Sequence, residues 1–313
     1  MKTAFMFPGQ GSQKLGMGKD VAARYQAASD IFERADEALG QKLSSLCFEG
    51  PEEELRLTAN TQPAILATSI AILRVLEPIM DPADFVAGHS LGEYSALVAA
   101  GSLEFEDAVR LVRERGRFMQ EAVPPGEGAM AAIMGCEDEV IVDVCTKASE
   151  RGVCSPANMN SPGQVVIAGH RPAVEYAVEL LKERGARRTV MLPVSAPFHC
   201  ELMRPAADRL APLLDQTYFA GLTTPLVTNA GAEIIYSGDQ AREALLRQVT
   251  APVRWSESII RLIDEGVTRF LEIGPGKVLS GLAKQICRDR RAVCEILNVD
   301  SAESLESVVS APA

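Results

Sequence analysis

Two rhythms of apolar and polar positions run along the chain. Apolar residues recur at intervals of three and four over 21–39 and 62–79, which predicts amphipathic helices. Similar patterns predict helices over 90–100, 105–121, 137–150, 173–184, 200–214, 240–249, 255–265 and 278–286. Short apolar runs bounded by turn residues predict strands at 3–7, 85–87, 129–134, 152–156, 164–168, 188–193, 225–228 and 268–273. Residues 307–313 are expected to form a frayed tail.

The order of these elements predicts two structural units. Between 127 and 195 the order is β-α-β-β-α-β, the signature of a ferredoxin-like unit, and Gly- and Pro-containing joints flank it. Outside this stretch, strands alternate with helices, which indicates a mostly parallel sheet. We therefore predict an α/β fold in which a large hydrolase-like domain, 1–126 and 196–313, carries an inserted small ferredoxin-like domain, 127–195.

Composition and charge narrow the classes of protein. The chain has 313 residues, of which 47% are hydrophobic and 23% charged, an ordinary globular profile. A net charge of −11 argues against nucleic acid or an anionic membrane as the main partner, although a local basic patch can still dock an acidic partner. No apolar run approaches the ~18 residues that span a bilayer. Pro8 interrupts the N-terminal apolar segment, which is not predicted to be a signal peptide.

The seven cysteines are scattered along the chain. They form no Cys-x-x-Cys pair and no Cys/His spacing typical of zinc sites, so neither a metal nor another cofactor is predicted. An odd, dispersed set is typical of reduced thiols, which predicts a cytoplasmic protein.

Residues 88–92 read Gly-His-Ser-Leu-Gly, between a predicted strand and a predicted helix. This is the G-x-S-x-G nucleophile elbow, a sharp turn that exposes a serine hydroxyl above a sheet. Gly88 and Gly92 leave room where a Cβ would clash. The following helix directs its free N–H groups and positive dipole end towards the place where an oxyanion would form. The motif predicts that Ser90 forms an acyl-serine.

A serine nucleophile needs an adjacent base, and the chain has three histidines. His89 adjoins Ser90 and is expected to point to the other side of the turn, and His170 looks solvated at the end of an insert strand. His199 follows the nucleophile in the chain, as in hydrolase-type orders, and is the candidate base. Alternatively, it only caps the following helix. No Asp or Glu stands out as a third triad member, so a carbonyl oxygen could hold its Nδ1–H instead.

An oxyanion hole needs two N–H donors. The amide of Leu91, the residue after the nucleophile, is one candidate. The other is the amide of Gln10, because flanking Gly9 and Gly11 would let it point inward. A phosphate-binding loop is the alternative, but no Lys-Ser/Thr follows it, which argues against that interpretation.

Beyond the elbow, several motifs resemble the malonyl-CoA:acyl carrier protein transacylase family. They occur in the family's order across about 3–280: FPGQGSQ at 7–13, GHSLGEYSAL at 88–97, RGRFMQ at 115–120, PFH at 197–199 and EIGPG at 272–276. The resemblance implies that Ser90 accepts a malonyl group, His199 is the general base, and the amides of Gln10 and Leu91 form the oxyanion hole. It also implies that the backbone carbonyl of Gln248 orients the histidine.

Further residues receive roles from the same resemblance. Arg115 would pair with the free carboxylate of the substrate, and Asn160 and Gln164 would line the cleft. Phe198 resembles the malonyl-selecting form. Arg115 also has an independent rationale, because a carboxylate in a partly dry pocket needs a partner and guanidinium binds it in a bidentate manner. Taken without the resemblance, a solvated surface arginine is the alternative.

The implied substrates are malonyl-CoA and the pantetheine thiol of an acidic acyl carrier protein, in fatty acid synthesis. Two basic clusters are candidate docking sites, although ordinary solvated charges are an equal alternative: Lys182, Arg184, Arg187 and Arg188, and Lys284, Arg288, Arg290 and Arg291. Three other functions stay open: loading of a polyketide or polyunsaturated lipid carrier, hydrolysis of acyl thioesters, and a non-catalytic binding role. Nothing in the sequence suggests an obligate interface, so we expect a monomer.

Overall fold

A computed structural model describes residues 1–194 and 196–310. The strands are β1 (Lys2–Phe7), β2 (Phe85–Gly88), β3 (Gly128–Met134), β4 (Cys154–Ser161), β5 (Gln164–His170), β6 (Arg188–Met191), β7 (Leu226–Val227), β8 (Ile234–Ile235), β9 (Val267–Ile273) and β10 (Glu295–Val299). The helices are α1 (Lys19–Arg24), α2 (Gln26–Leu39), α3 (Leu43–Glu49), α4 (Glu52–Leu55), α5 (Thr58–Leu76), α6 (Gly92–Ala99), α7 (Phe105–Glu121), α8 (Asp138–Ala148), α9 (Arg171–Glu183), α10 (Arg204–Gln216), α11 (Gly238–Gln248), α12 (Trp255–Asp264), α13 (Val278–Asp289) and α14 (Ala302–Ser310).

The larger sheet has the strand order β10-β9-β1-β2-β7-β8. Its pairs are parallel except β7–β8, so the predicted α/β fold with a mostly parallel sheet is confirmed. Both faces of β1 are buried: Phe5 and Phe7 pack into one apolar cluster, and Ala4 and Met6 into another. Burial of both faces explains why β1 is a continuous apolar run without alternation.

The smaller sheet is antiparallel, with the order β4-β5-β3-β6. Together with α8 and α9 this is the predicted ferredoxin-like β-α-β-β-α-β topology. It has its own core, which includes Ile133, Ile167, Val174 and Leu181. The strands and helices of this unit lie within the predicted insert, whose boundaries at 127 and 195 stay a prediction.

Several local predictions were wrong. The helix expected over 21–39 is split, because Tyr25 adopts an extended conformation between α1 and α2. β4 continues to Ser161, well beyond the expected 156, and irregular register near Pro156 and Met159 explains why no alternating pattern marked it. Residues 307–310 belong to α14, not to a frayed tail, and 311–313 lie outside the described residues. Elements α3, α4, α14, β8 and β10 had not been predicted.

The carboxyl ends of β1, β2, β7 and β9 meet at one edge of the parallel sheet, facing the smaller sheet across a cleft. Open α/β sheets bind ligands at this edge. Within the described part of the chain, every helix is too short or too polar to cross a bilayer. All seven cysteines are free, and six of them are buried.

Candidate active site

The turn between β2 and α6 holds Ser90 in a left-handed conformation, with φ 52°. Residues other than Gly rarely adopt this backbone conformation. At functional sites, the surrounding structure maintains such strain. The flanking glycines are required sterically. A Cβ on Gly88 would lie 1.9 Å from the carbonyl carbon of Gly92, and a Cβ on Gly92 would lie 2.0 Å from the carbonyl oxygen of Phe7. The sequence thus forms the predicted elbow.

Asn229 holds this strained turn in place. Its Oδ1 accepts a hydrogen bond from the backbone N–H of Ser90 at 2.6 Å, and its Nδ2 donates to the carbonyl of Gly88 at 2.6 Å. The side chain is buried, and the residue lies two positions after the end of β7. The sequence analysis missed this residue, although a polar amide just after a predicted parallel strand was a signal for it.

The His199 ring lies beside the nucleophile. Its Nε2 is 2.7 Å from Ser90 Oγ, and its Nδ1 is 2.9 Å from the backbone oxygen of Gln248. A carbonyl oxygen only accepts, so Nδ1 carries the proton and Nε2 of the neutral ring accepts from the serine hydroxyl. Burial and the nearby Arg115 charge lower the pKa of His199 to about 3. The ring is therefore neutral at physiological pH and can take a proton.

The other two histidines have different hydrogen-bond partners. His89 points into the cleft wall, where its Nε2 is 2.9 Å from Asn160 Oδ1, and burial lowers its pKa. His170 accepts a hydrogen bond from the backbone N–H of Val153. His199 is thus the histidine that hydrogen-bonds Ser90.

The two candidate oxyanion donors belong to the loop after β1 and to the turn before α6. Leu91 immediately precedes α6 and is buried. The loop with Gln10 packs against the elbow so closely that a Cβ on Gly9 would lie 2.3 Å from the carbonyl oxygen of His89. Gln10 and Ser90 both line the same cleft. This arrangement is compatible with an oxyanion hole between the β1 loop and the start of α6.

Arg115 is a fully buried cation beside the nucleophile, with 1% of its surface exposed. Its Nη1 donates to Gln62 Oε1 and its Nη2 to Gln248 Oε1, both at 2.7 Å. Nη2 also donates to Ser90 Oγ at 3.1 Å. Burial lowers its pKa, but arginine stays protonated in proteins. These hydrogen bonds hold the guanidinium with neutral oxygens, so its charge is available to an anionic ligand.

The neighbouring arginines of α7 point away from this site. Arg113 donates to Asn60, and Arg117 pairs with Glu114 at the surface. Spacing by two on a helix separates the three side chains, so that Arg115 alone of the three contacts Ser90. Gly116 lets α7 approach α5, since a Cβ there would lie 2.6 Å from the carbonyl oxygen of Thr58.

The cleft beside Ser90 has a volume of about 810 Å³. Asn160 and Gln164 line it from the smaller sheet, and Phe198, mostly buried, lines it beside His199. Leu91 and Gln248 lie directly behind the lining residues. The predicted site residues therefore converge on one region. Among the described residues there is no group of three His, Cys, Asp or Glu side chains that could hold a metal ion.

Comparison with known proteins identifies the family. The family described as the acyl transferase domain matches residues 4–307. The chain belongs to this acyl transferase family. The malonyl CoA-acyl carrier protein transacylase of Bacillus subtilis is 52% identical over 309 residues, covering 98% of this chain and 96% of that protein.

Solved structures of similar acyl transferases share the whole fold. An acyl carrier protein S-malonyltransferase from Vibrio cholerae matches with a TM-score of 0.95 and 47% identity, covering 98% of this chain and 100% of that chain. A type II PKS acyl-carrier protein in complex with its malonyl-transacylase matches with a TM-score of 0.95 and 46% identity, covering 99% of each chain. The family resemblance stated from the sequence is thus confirmed.

This acyl transferase site also contains Glu93, which sequence reasoning missed. It is 1% exposed, and its Oε2 accepts hydrogen bonds from Gln248 Nε2 at 2.6 Å and from the backbone N–H of Asn229 at 3.3 Å. Burial raises its pKa to about 7. Its position three residues after Ser90 in a buried helix was the available signal, because an isolated acid there needs partners.

Proposed function

We propose that this protein is a malonyl-CoA:acyl carrier protein S-malonyltransferase that works through a malonyl-Ser90 intermediate. The observation that carries the proposal is the buried guanidinium of Arg115. Its Nη2 lies 3.1 Å from Ser90 Oγ, and the side-chain oxygens of Gln62 and Gln248 hold it there. A buried cation at that distance favours an acyl group with a free carboxylate close to its thioester carbon. Relatives at 52% identity carry the name malonyl CoA-acyl carrier protein transacylase, which supports the same substrates.

The short reach of malonate fits this geometry. A single methylene separates its carboxylate from the thioester carbonyl, so the two groups must bind close to each other. When Ser90 Oγ attacks, Arg115 Nη2 can exchange its bond to that oxygen for a bond to the substrate carboxylate. The guanidinium then keeps its amide partners, Gln62 and Gln248, and gains an ion pair.

The first half-reaction acylates the serine. His199 Nε2 removes the Ser90 proton while Oγ forms a bond to the thioester carbon. The amides of Gln10 and Leu91 stabilise the oxyanion, with about 3 kcal/mol for each donor. The C–S bond then breaks, and the CoA thiolate takes the proton from His199. The Gln248 carbonyl stabilises the imidazolium during this step through its bond to Nδ1.

The second half-reaction runs the same steps in reverse. The pantetheine thiol of the carrier gives its proton to His199 and attacks the malonyl ester, and Ser90 regains its proton. A thioester is exchanged for an oxyester and then for a thioester again, so no cofactor is needed and the free energies nearly balance. Ping-pong kinetics are expected. The cleft walls limit access of water to the ester.

We further propose that one chain suffices, because Ser90, His199 and Arg115 already hydrogen-bond one another within a single chain. The carrier is expected to dock at the basic clusters. Arg184 and Arg290 of these clusters already pair with Asp143 and Asp264. Charge reversal of Arg188 and Lys284 should raise the KM for the carrier and leave acylation by malonyl-CoA unchanged. Fatty acid synthesis is the expected pathway, and a cytoplasmic location stays a prediction.

Intact-mass measurement after brief incubation with malonyl-CoA tests the proposed function. A malonyl adduct on the wild type, absent from Ser90→Ala and discharged by an added holo carrier protein, supports the transferase. Parallel incubations with acetyl-CoA and methylmalonyl-CoA report selectivity. Release of CoA without an adduct would instead identify a hydrolase, and neither adduct nor release would leave a binding role.

A further inference from the structure

Glu93 is a buried acid that the transfer steps do not use. It lies in the first turn of α6, and its side chain is 1% exposed. Oε2 accepts two hydrogen bonds, whereas Oε1 is buried and has no hydrogen-bond partner among residues 1–194 and 196–310. A carboxylate so incompletely solvated is poorly stabilised as an anion unless a cation compensates it.

The compensating cation is Arg115, and a single amide separates the two groups. Gln248 Oε1 accepts from Arg115 Nη2 at 2.7 Å, while Gln248 Nε2 donates to Glu93 Oε2 at 2.6 Å. Nε2 also donates to the backbone carbonyl of Ser90 at 2.8 Å, which fixes the orientation of the amide. The Arg115 guanidinium and the Glu93 carboxyl therefore belong to one hydrogen-bond network.

The balance of charge in this network changes when the proposed substrate binds. In the free enzyme, one guanidinium faces one buried carboxyl. A malonyl group adds a second carboxylate to the same guanidinium, and two carboxylates near one buried cation are not both stabilised. We propose that Glu93 is the internal counter-charge of Arg115 and takes up a proton from solvent when a carboxylated acyl group binds there. This inference rests on the proposed function.

In the described part of the chain, both hydrogen-bond partners of Glu93 are neutral, so Arg115 acts on it only across Gln248. Arg115 faces it from α7 and Tyr94 adjoins it on α6, whereas Gln248 of α11 and Asn229 after β7 are neutral. Burial raises the pKa of Glu93 to about 7, although Arg115 partly opposes this increase. Pairing of Arg115 with a substrate carboxylate removes that opposition, which raises the pKa further. Above pH 7, binding therefore requires a proton, and affinity falls as pH rises.

Two measurements on the wild type test the proposal without a variant. In weakly buffered solution at pH 7.5, rapid mixing with malonyl-CoA should take up as much as one proton for each Ser90 acylated, and mixing with acetyl-CoA should take up none. The ratio of kcat/KM for malonyl-CoA to that for acetyl-CoA should fall above pH 7, by as much as about tenfold for each pH unit. The pKa of His199 is about 3, far below this pH range, so titration of His199 does not change the ratio.

Glu93→Gln isolates the charge, because its amide oxygen can still accept from Gln248 Nε2. In this variant the proton uptake should disappear and the ratio should become independent of pH. The matched control is Glu272→Gln, since Glu272 is also a buried carboxyl with a raised pKa, but it accepts from the backbone N–H groups of Leu279 and Ser280. The control should keep the proton uptake of the wild type.

The outcomes separate this inference from the proposed function. A malonyl-Ser90 adduct that forms without proton uptake overturns the inference alone, as does uptake that persists in Glu93→Gln. If no malonyl adduct forms on Ser90, the proposed function fails and this inference fails with it. Uptake that is seen with malonyl-CoA, is absent with acetyl-CoA and is lost in Glu93→Gln supports both.

Discussion

Replacement of Arg115 by alanine should convert a carboxylate-selective enzyme into an unselective one. The wild-type side chain is buried and bonded to Gln62, Gln248 and Ser90. Truncation removes the cation that a malonyl carboxylate needs, whereas an acetyl group makes no use of that cation. Malonyl transfer should therefore fall much further than acetyl transfer.

The size of the effect follows from the bonds that the variant cannot form. Two charge-assisted hydrogen bonds to the carboxylate contribute about 1.5–3 kcal/mol each, or roughly 3–6 kcal/mol together. Since about 1.4 kcal/mol is a factor of ten, malonyl kcat/KM should fall by roughly 10²–10⁴-fold. The oxygens of Gln62 and Gln248 lose a partner as well, but the space vacated by the guanidinium admits water that can bond to them.

The assay compares kcat/KM for malonyl-CoA and acetyl-CoA in the wild type and in Arg115→Ala. Arg117→Ala is the matched control, because Arg117 lies on the same helix and pairs with Glu114 at the surface. The control should retain the wild-type ratio, and a circular dichroism melt establishes that each variant is folded. Equal losses with both acyl groups, or an unchanged malonyl rate, would refute the role of Arg115 as carboxylate partner.

Two substitutions and one pH profile test the elbow and the base. Gly92→Ala places a Cβ 2.0 Å from the Phe7 carbonyl oxygen, so the free energy of unfolding, measured by denaturant titration, should fall by about 3 kcal/mol. An unchanged free energy of unfolding would contradict the packing argument. Asn229→Ala leaves the Ser90 N–H without its partner, so acylation measured by stopped flow should slow about 100-fold. An unaltered rate would show that Asn229 does not position Ser90. Because the pKa of His199 is about 3, kcat/KM with acetyl-CoA should stay level down to about pH 5, whereas a midpoint near 6.5 would show an unshifted base.

The elbow was predictable because its chemistry is local. A strand, two glycines and a serine within five residues define the turn, and Leu91 follows from adjacency to Ser90. The candidate base could be chosen because the chain offers three histidines. The alternation of strands and helices predicted the parallel sheet, since each strand of such a sheet must be followed by a crossover.

The partners that hold the site could not be found in the same way, because they are distant in sequence. Asn229 lies 139 residues from Ser90, and Gln248 lies 49 residues from His199. The Gln248 contact uses a backbone carbonyl, which every residue type possesses, so the family resemblance predicted it where no residue chemistry could. Glu93 was read as part of a helix following the elbow, and its role depends on Gln248 and Arg115, which reach it only in the fold.

The errors in the predicted elements occur where the local sequence pattern is weak. Tyr25 interrupts an otherwise amphipathic run and separates α1 from α2 without Gly or Pro to mark the break. β8 has two residues, too few for any periodicity, and forms by pairing with β7. Tertiary pairing therefore determined β8, where the local pattern was too short to predict a strand.

The position of the smaller unit within the chain links selectivity to the catalytic base. In the chain, the smaller unit begins after α7, which carries Arg115, and ends just before Phe198 and His199. The two joints touch: Leu192 donates its N–H to the Met130 carbonyl, and a Cβ on Gly128 would lie 2.4 Å from the Pro197 ring. A shift of the β3–β6 pair would therefore move two things at once: the cleft wall formed by Met130 and Leu192, and the segment that carries His199. Ser90 is held by Asn229 from the parallel sheet, and the elbow touches the smaller sheet through His89 and Asn160 of β4. Changes at the β3–β6 pair should therefore alter substrate choice and the position of the base more than the position of the nucleophile.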